Sequence, residues 1–252
     1  MDGGAAKRIA TLAVGTAPGP LALEVGAGTG ALTLALLAAG AELTVLDVDD
    51  DMIAILRERG ELARATVRSA DALDFDYEAF AAPAPATWIA TGNLPYNIAT
   101  PLVLKWIELP HPPSRIVVMI QRDVADRFVA RPSTPAYGSL TLALAYRYDV
   151  RRAFTLGPSV FWPRPNVESA VVVLERRPEP AVPVRDPAFL MRIVRAGFAY
   201  RRKTLANSLF LAEAIDRART RAALERRALN PEIRAEQIGL DAFGALADEL
   251  AP

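Results

Sequence analysis

The segment Leu21-Ala22-Leu23-Glu24-Val25 runs directly into Gly26-Ala27-Gly28-Thr29-Gly30, and a helical pattern over Ala31–Ala39 follows. The short apolar run reads as a buried strand. Glycines at its end let the backbone turn tightly and approach a ligand with no Cβ in the way. Strand, glycine loop and helix in that order belong to open α/β sheets, which bind ligands at the carboxyl ends of their strands. The G-x-G-x-G spacing differs from the dinucleotide G-x-G-x-x-G fingerprint, so the loop alone also fits a plain strand-to-helix turn.

The alternation continues along the chain. Leu43–Asp47, Ala65–Arg68, Thr87–Thr91 and Arg115–Ile120 read as further strands, with helices over Asp51–Arg59 and after Thr100. This spacing predicts a mostly parallel, Rossmann-like α/β sheet. Tyr146–Phe154 and Ala170–Leu174 are expected to close it as an antiparallel pair. Pro178, Pro180, Pro183 and Pro187 fall close together and predict a linker, since such a stretch holds neither a helix nor a central strand. Beyond it the pattern is helical over 188–198, 203–217, 219–228 and 241–250. The expected organisation is an α/β domain over 1–180 and a smaller all-α domain over 185–252.

Composition removes several kinds of chemistry. The chain has no cysteine, which excludes disulfide scaffolds, thiolate zinc sites and cysteine nucleophiles. Its one histidine, His111, lies between Pro110 and Pro112, a poor setting for a His-based triad or an HExxH metal site. No apolar run is long enough for a membrane span, and Met1–Thr11 lacks the pattern of a secretory signal. A cytoplasmic enzyme without a membrane partner is the expectation. The 29 basic and 29 acidic residues cancel, but unevenly. Residues 1–100 carry 6 basic against 13 acidic side chains, and residues 101–252 carry 23 against 16. An acidic front and a basic back point to two surfaces with different partners.

The acidic front carries a pattern. Asp47 ends the second strand, where a carboxylate can accept both hydroxyls of a ribose. Asp71 follows the third strand and is placed to accept a hydrogen bond from an adenine amine. Each has a plainer alternative. Asp47 precedes Asp49, Asp50 and Asp51, which together suit a helix N-cap, and Asp74 and Asp76 compete with Asp71 as solvated loop acids. A glycine loop (Gly26, Gly28, Gly30, with Glu24 just ahead), a ribose acid and an adenine acid on successive strands describe a pocket for an adenosyl ligand lacking pyrophosphate. That pattern resembles the S-adenosylmethionine-dependent methyltransferases.

Asn93-Leu94-Pro95-Tyr96 leaves the fourth strand at the same sheet edge. An exocyclic adenine amine is a poor nucleophile, because its lone pair is delocalised into the ring. The Asn93 side-chain oxygen and the Leu94 carbonyl can hold its hydrogens and favour an attacking, tetrahedral nitrogen. Pro95 fixes the backbone and removes a competing donor, and Tyr96 offers a stacking face. The plain alternative is a proline-containing strand exit with a packed tyrosine. Attack on a sulfonium methyl is an in-line displacement that needs positioning more than a strong base, which suits a chain with one histidine.

The run Asn93-Leu94-Pro95-Tyr96-Asn97-Ile98-Ala99-Thr100-Pro101-Leu102 resembles the signature of the rRNA adenine N6,N6-dimethyltransferase family. Pro158–Val172, Arg201–Leu209, Gln121–Arg127 and Ala136–Leu140 resemble further blocks of that family, in order, over about residues 20–245. The resemblance implies S-adenosylmethionine as cofactor, bound by Glu24, Gly26, Gly28, Gly30, Asp47, Asp71 and Asn93. It implies catalysis by Asn93, Leu94, Pro95 and Tyr96, with Phe161 on the opposite face of the target adenine. A core phenylalanine before a proline-rich turn is the alternative for Phe161. The chain is most similar to the bacterial branch that dimethylates two adjacent adenines near the 3′ end of 16S rRNA, acting on the 30S subunit or its precursor. The resistance branch, which modifies 23S rRNA, usually has Ile at the position of Leu94 and lacks the Arg201–Leu205 block. A non-catalytic rRNA-binding assembly factor is the rival of another class. The family's Gln-Asn-Phe-Leu segment, which folds over the cofactor, has no counterpart in the 23 residues ahead of Glu24. The expectation is weak cofactor binding and slow transfer by this chain.

The basic back suits RNA phosphates. Between Arg192 and Arg227 there are ten basic and three acidic residues, too many for intrahelical pairing with Glu213, Asp216 and Glu225. Arg201, Arg202, Lys203, Arg221 and Arg226 are the candidate RNA contacts, with Arg122 extending the set. A solvated helix face is the alternative for any one of them. A monomer is expected.

Overall fold

In the computed structural model, residues 2–16, 19–95, 97–160 and 167–251 are described. The chain divides into two compact units, Met1–Ala125 with Asp149–Arg176, and Asp126–Tyr148 with Arg177–Pro252.

The first unit begins with helix α1, Gly3–Val14, which the sequence reading did not expect. Its buried residues Ala5, Ala6, Ile9, Ala10, Ala13 and Val14 recur at helical spacing, and Asp2 caps its start by accepting from the Gly4 N–H at 3.2 Å. The Arg115 guanidinium donates to the Leu12 and Ala13 carbonyls at 3.4 Å each, a cation set at the negative end of the helix. Strand β1 (Leu21–Val25), helix α2 (Ala31–Ala38), β2 (Glu42–Asp47), α3 (Asp50–Glu58) and β3 (Thr66–Ser69) follow. Then come α4 (Tyr77–Ala81), β4 (Ile89–Asn93), α5 (Ala99–Glu108), β5 (Arg115–Gln121) and α6 (Arg122–Phe128). Within a residue or two the strands fall where the apolar runs predicted. The short helix α4 was missed, because its five residues are too few to show a period.

The sheet is completed after α7 (Ser139–Arg147) by β6 (Tyr148–Leu156) and β7 (Ser169–Arg176), in the order β3-β2-β1-β4-β5-β7-β6. The pairs β1–β2, β1–β4, β2–β3 and β4–β5 are parallel, and β5–β7 is antiparallel, with Arg115 opposite Glu175 and Gln121 opposite Ser169. The chain steps outward from β1 to β3 on one side and from β4 to β5 on the other. The reversal of strand order between β1 and β4 is where such sheets bind ligands. Leu21–Val25 and Ile116–Ile120 are almost wholly apolar because both faces of their strands are covered.

The second unit holds its own core. Tyr137, Leu142 and Tyr146 pack there with residues of α8 (Pro187–Ala199), α9 (Leu205–Glu213), α10 (Arg217–Glu225) and α11 (Leu240–Leu250). The boundaries expected at 180 and 185 therefore need correcting. Segment 126–148 joins the helical unit, since its aromatic and leucine side chains bury among those helices. The proline-rich stretch is not free either. Val182 is buried against Gly244, and the Ala181 N–H donates to the Tyr146 carbonyl at 2.8 Å. The expected helix over 203–217 is shorter than its pattern. Thr204 caps α9 by accepting from the Asn207 N–H, Ala214 ends it in the left-handed region at φ 55°, and Asp216 caps α10.

Candidate active site

A cavity of about 250 Å³ opens at the strand-order reversal, lined by Gly26, Asp47, Asp71, Pro95 and, from the same loops, Val48 and Ile98 among others. Four segments distant in sequence meet there, each at the carboxyl end of its strand.

The glycine loop shapes one wall. Gly26 adopts φ +75°, and a Cβ there would stand 2.9 Å from the Asn93 carbonyl oxygen and 3.6 Å from Pro95 Cδ. Only a glycine lets the two loops approach so closely. Gly28 and Gly30 also have positive φ, and around Gly28 there is open space.

Glu24 lies beneath this loop. It is fully buried, and neither carboxylate oxygen has a hydrogen-bond partner among the described residues. Burial raises its pKa to about 7; the adjacent Thr33 hydroxyl pulls it down somewhat, without forming a well-aligned bond, and the charge of Asp47 pushes it up. The two Glu24 oxygens are vacant acceptors of the kind a cationic amino-acid group would satisfy, although Glu24 does not itself line the cavity.

The structure separates the competing acids. Asp47 lines the cavity, and its carboxylate accepts from the Gly28 N–H at 3.3 Å and from the Asp49 N–H at 3.1 Å. The helix-capping role falls instead to Asp49, which accepts from Asp51 and Met52. Asp71 lines the same cavity and accepts from the Leu73 N–H at 2.7 Å. Asp76 caps α4, and with Asp74 it borders a different depression beside Phe75 and Phe80.

Asn93 ends β4 with its side chain exposed and free of hydrogen bonds to other described residues. Leu94 is buried, anchored by its N–H to the Met119 carbonyl at 3.1 Å. The Pro95 carbonyl accepts from Ile98 and Ala99 at 3.2 and 3.1 Å, starting α5. Tyr96 and Phe161 lie outside the described residues. Val48, Asn97 and Ile98 line the cavity and were given no role from sequence. Val48 is 74 % exposed, and an apolar residue directly after a strand-ending acid in an otherwise acidic run was the available signal.

The basic residues are more engaged than their number predicted. Arg221 pairs with Glu232 at 2.8 Å, Arg226 and Arg227 with Glu249, Arg192 with Glu213 at 2.6 Å, and Arg201 with Glu236 at 3.9 Å. Arg122 pairs with Glu168. The expectation that acids were too few considered partners within the same helices, whereas Glu232, Glu236 and Glu249 come from other segments. Arg202 and Lys203 are exposed and have no ion pair among the described residues.

The sheet order, the glycine loop and the two strand-end acids define a Rossmann-like methyltransferase that takes S-adenosylmethionine as methyl donor. Residues 12–251 match the family model for ribosomal RNA adenine dimethylase, and the chain belongs to that family. Among its relatives, the ribosomal RNA small subunit methyltransferase A of Streptococcus sanguinis is 40% identical over 90% of this chain and 81% of its own length. That of Pseudomonas aeruginosa is 37% identical over 99% and 91%. The fold is shared with a dimethyladenosine transferase from Plasmodium falciparum, at a TM-score of 0.76, 22% identity and coverage of 95% and 93%. It is shared equally with the 23S rRNA methyltransferase ErmE, at 0.75, 23%, 100% and 99%. Among the described residues no helix is long and apolar enough to cross a membrane.

Proposed function

We propose that this protein transfers methyl groups to the N6 amines of two adjacent adenines near the 3′ end of 16S rRNA, in the 30S subunit or its precursor. In this reading it acts as a cytoplasmic monomer. The observation that carries the reading is the single cavity that gathers Gly26, Asp47, Asp71 and Pro95 at the strand-order reversal. The curated relatives at 37–40% identity carry small-subunit names, which favours 16S over 23S rRNA.

Bound S-adenosylmethionine supplies an electrophilic methyl group on a sulfonium. Glu24 and the loop at Gly26, Gly28 and Gly30 would hold its amino-acid end, Asp47 would accept hydrogen bonds from its ribose hydroxyls, and Asp71 would accept one from its adenine amine. Asn93, exposed and without a side-chain hydrogen bond among the described residues, and the Leu94 carbonyl hold the hydrogens of the target amine, so that its lone pair is directed at the methyl carbon. Tyr96 and Phe161 take the two faces of the target base. No side chain need act as a strong base. Arg202 and Lys203 are the foremost candidates for rRNA phosphates, with Arg122, Arg201, Arg221 and Arg226 available by exchanging their present carboxylate partners.

Asn93→Ala tests the reading. Methyl transfer should fall by about a hundredfold or more while rRNA affinity stays unchanged. Transfer at the parent rate would remove Asn93 from the chemistry.

A further inference from the structure

One lysine of the first unit has a place that the proposed function does not use. Lys105 lies on α5, half-buried. Its Nζ donates to the Leu73 carbonyl and stands 5.7 Å from the centre of the Tyr77 ring. The Tyr77 hydroxyl in turn donates to the Ala72 carbonyl at 2.6 Å. The same loop is fixed at its start by the Ala70 N–H, which donates to the Asp47 carbonyl at 3.0 Å. Between these anchors stands Asp71, whose carboxylate is turned back on the Leu73 N–H at 2.7 Å.

The loop therefore has no regular structure of its own, yet three of its four residues are tied to other elements through their backbones. Two of those ties come from side chains on helices, Tyr77 on α4 and Lys105 on α5. A backbone held so on either side leaves the carboxylate of Asp71 little freedom, which is what recognition of a single amine requires. Lys105 also sits two turns along from the start of α5, whose first turn is fused to the Asn93–Ile98 loop through the Pro95 carbonyl. One side chain thus ties the loop that carries Asp71 to the helix that carries the methyl-transfer loop.

We propose that Lys105 is a positioning residue for recognition of the cofactor's base. Through the Leu73 carbonyl it holds Asp71 where its carboxylate meets the 6-amino group of adenine. It also keeps that loop in register with the loop at Asn93. The proposal rests on the reading of Asp71 as the adenine acceptor.

The test is equilibrium binding of two ligands, S-adenosylhomocysteine and its analogue with unsubstituted purine, which lacks the 6-amino group. Asp71→Ala, which leaves no side-chain acceptor, should lower affinity for the first by about tenfold and leave the second within about twofold, so that the preference for the amine is lost. Lys105→Met should show the same selective loss, and Lys105→Arg should restore part of the preference. Lys105→Leu, which keeps an apolar stem and removes the same donor, should give the same loss, and it stands in should Lys105→Met not fold. If Asp71→Ala keeps the preference, the reading of Asp71 falls. If Asp71→Ala loses it and Lys105→Met keeps it, or weakens both ligands alike, the assignment of Lys105 falls alone. With Lys105→Leu as the stand-in, an unchanged preference overturns the assignment in the same way.

Discussion

The carbonyl oxygen of Asn93 lies where a side chain on Gly26 would begin, 2.9 Å from the position of a Cβ there. The cofactor loop and the methyl-transfer loop are thus packed backbone to backbone, with no side chain between them. Gly26→Ala adds this clash to a left-handed φ of +75°, which costs a non-glycine residue roughly 1–2 kcal/mol. Transfer should fall by at least about tenfold, with a melting temperature lowered by a few degrees. Steady-state kinetics and thermal melts check both.

Burial holds Glu24 at a pKa of about 7 against an ordinary 4.5. The folded chain therefore keeps a proton that the unfolded chain releases. The stability this brings is full below pH 4.5 and is lost as pH rises to about 7, a loss of about 3 kcal/mol in all at 1.36 kcal/mol per unit. Urea denaturation of the cofactor-free protein should show that decline, and Glu24→Gln should abolish it. Cofactor affinity should rise with pH through the same window in the parent and stay flat in the variant.

Asp47 and Asp49 are two residues apart and have different work. Asp47→Asn should weaken cofactor binding by roughly ten- to a hundredfold, the worth of a hydrogen-bonded charge facing two hydroxyls. Asp49→Ala removes the cap of α3 and should cost about 1 kcal/mol of stability while affinity changes little. Calorimetric titration and chemical denaturation of both variants separate the roles.

The free and the paired basic side chains should also differ. Replacing Arg202 and Lys203 by alanine removes two exposed cations with no ion pair among the described residues, and should flatten the salt dependence of rRNA binding by roughly two units of slope. Arg226→Ala breaks its pairing with Glu249, so part of its effect should appear as lost stability. Binding isotherms over a salt series distinguish them.

The strands were legible because a sheet covered on both faces demands nearly continuous apolar runs, as at Leu21–Val25 and Arg115–Ile120. Asp47 and Asp71 were singled out by their places after the second and third strands, with capping and loop roles as alternatives. The turn between β2 and α3 puts Asp47 at the cavity and gives the cap to Asp49. Helix α1 was missed because its buried stripe is mostly alanine (Ala5, Ala6, Ala10 and Ala13, with Ile9 and Val14), and small side chains mark a helical period weakly. The second unit's claim on 126–148 depends on which core Tyr137 and Tyr146 enter, a tertiary choice that local pattern does not encode. The charge cluster misled for a similar reason, since Glu232, Glu236 and Glu249 reach their arginines from other segments.

The most direct measurement is transfer of tritiated methyl groups from S-adenosylmethionine to undermethylated 30S subunits, with nucleoside analysis of the product. N6,N6-dimethyladenosine should appear at two adjacent positions near the 3′ end of 16S rRNA, with no label in 23S rRNA. Product that stops at N6-methyladenosine, label confined to 23S rRNA, or no transfer at all would overturn the proposed function.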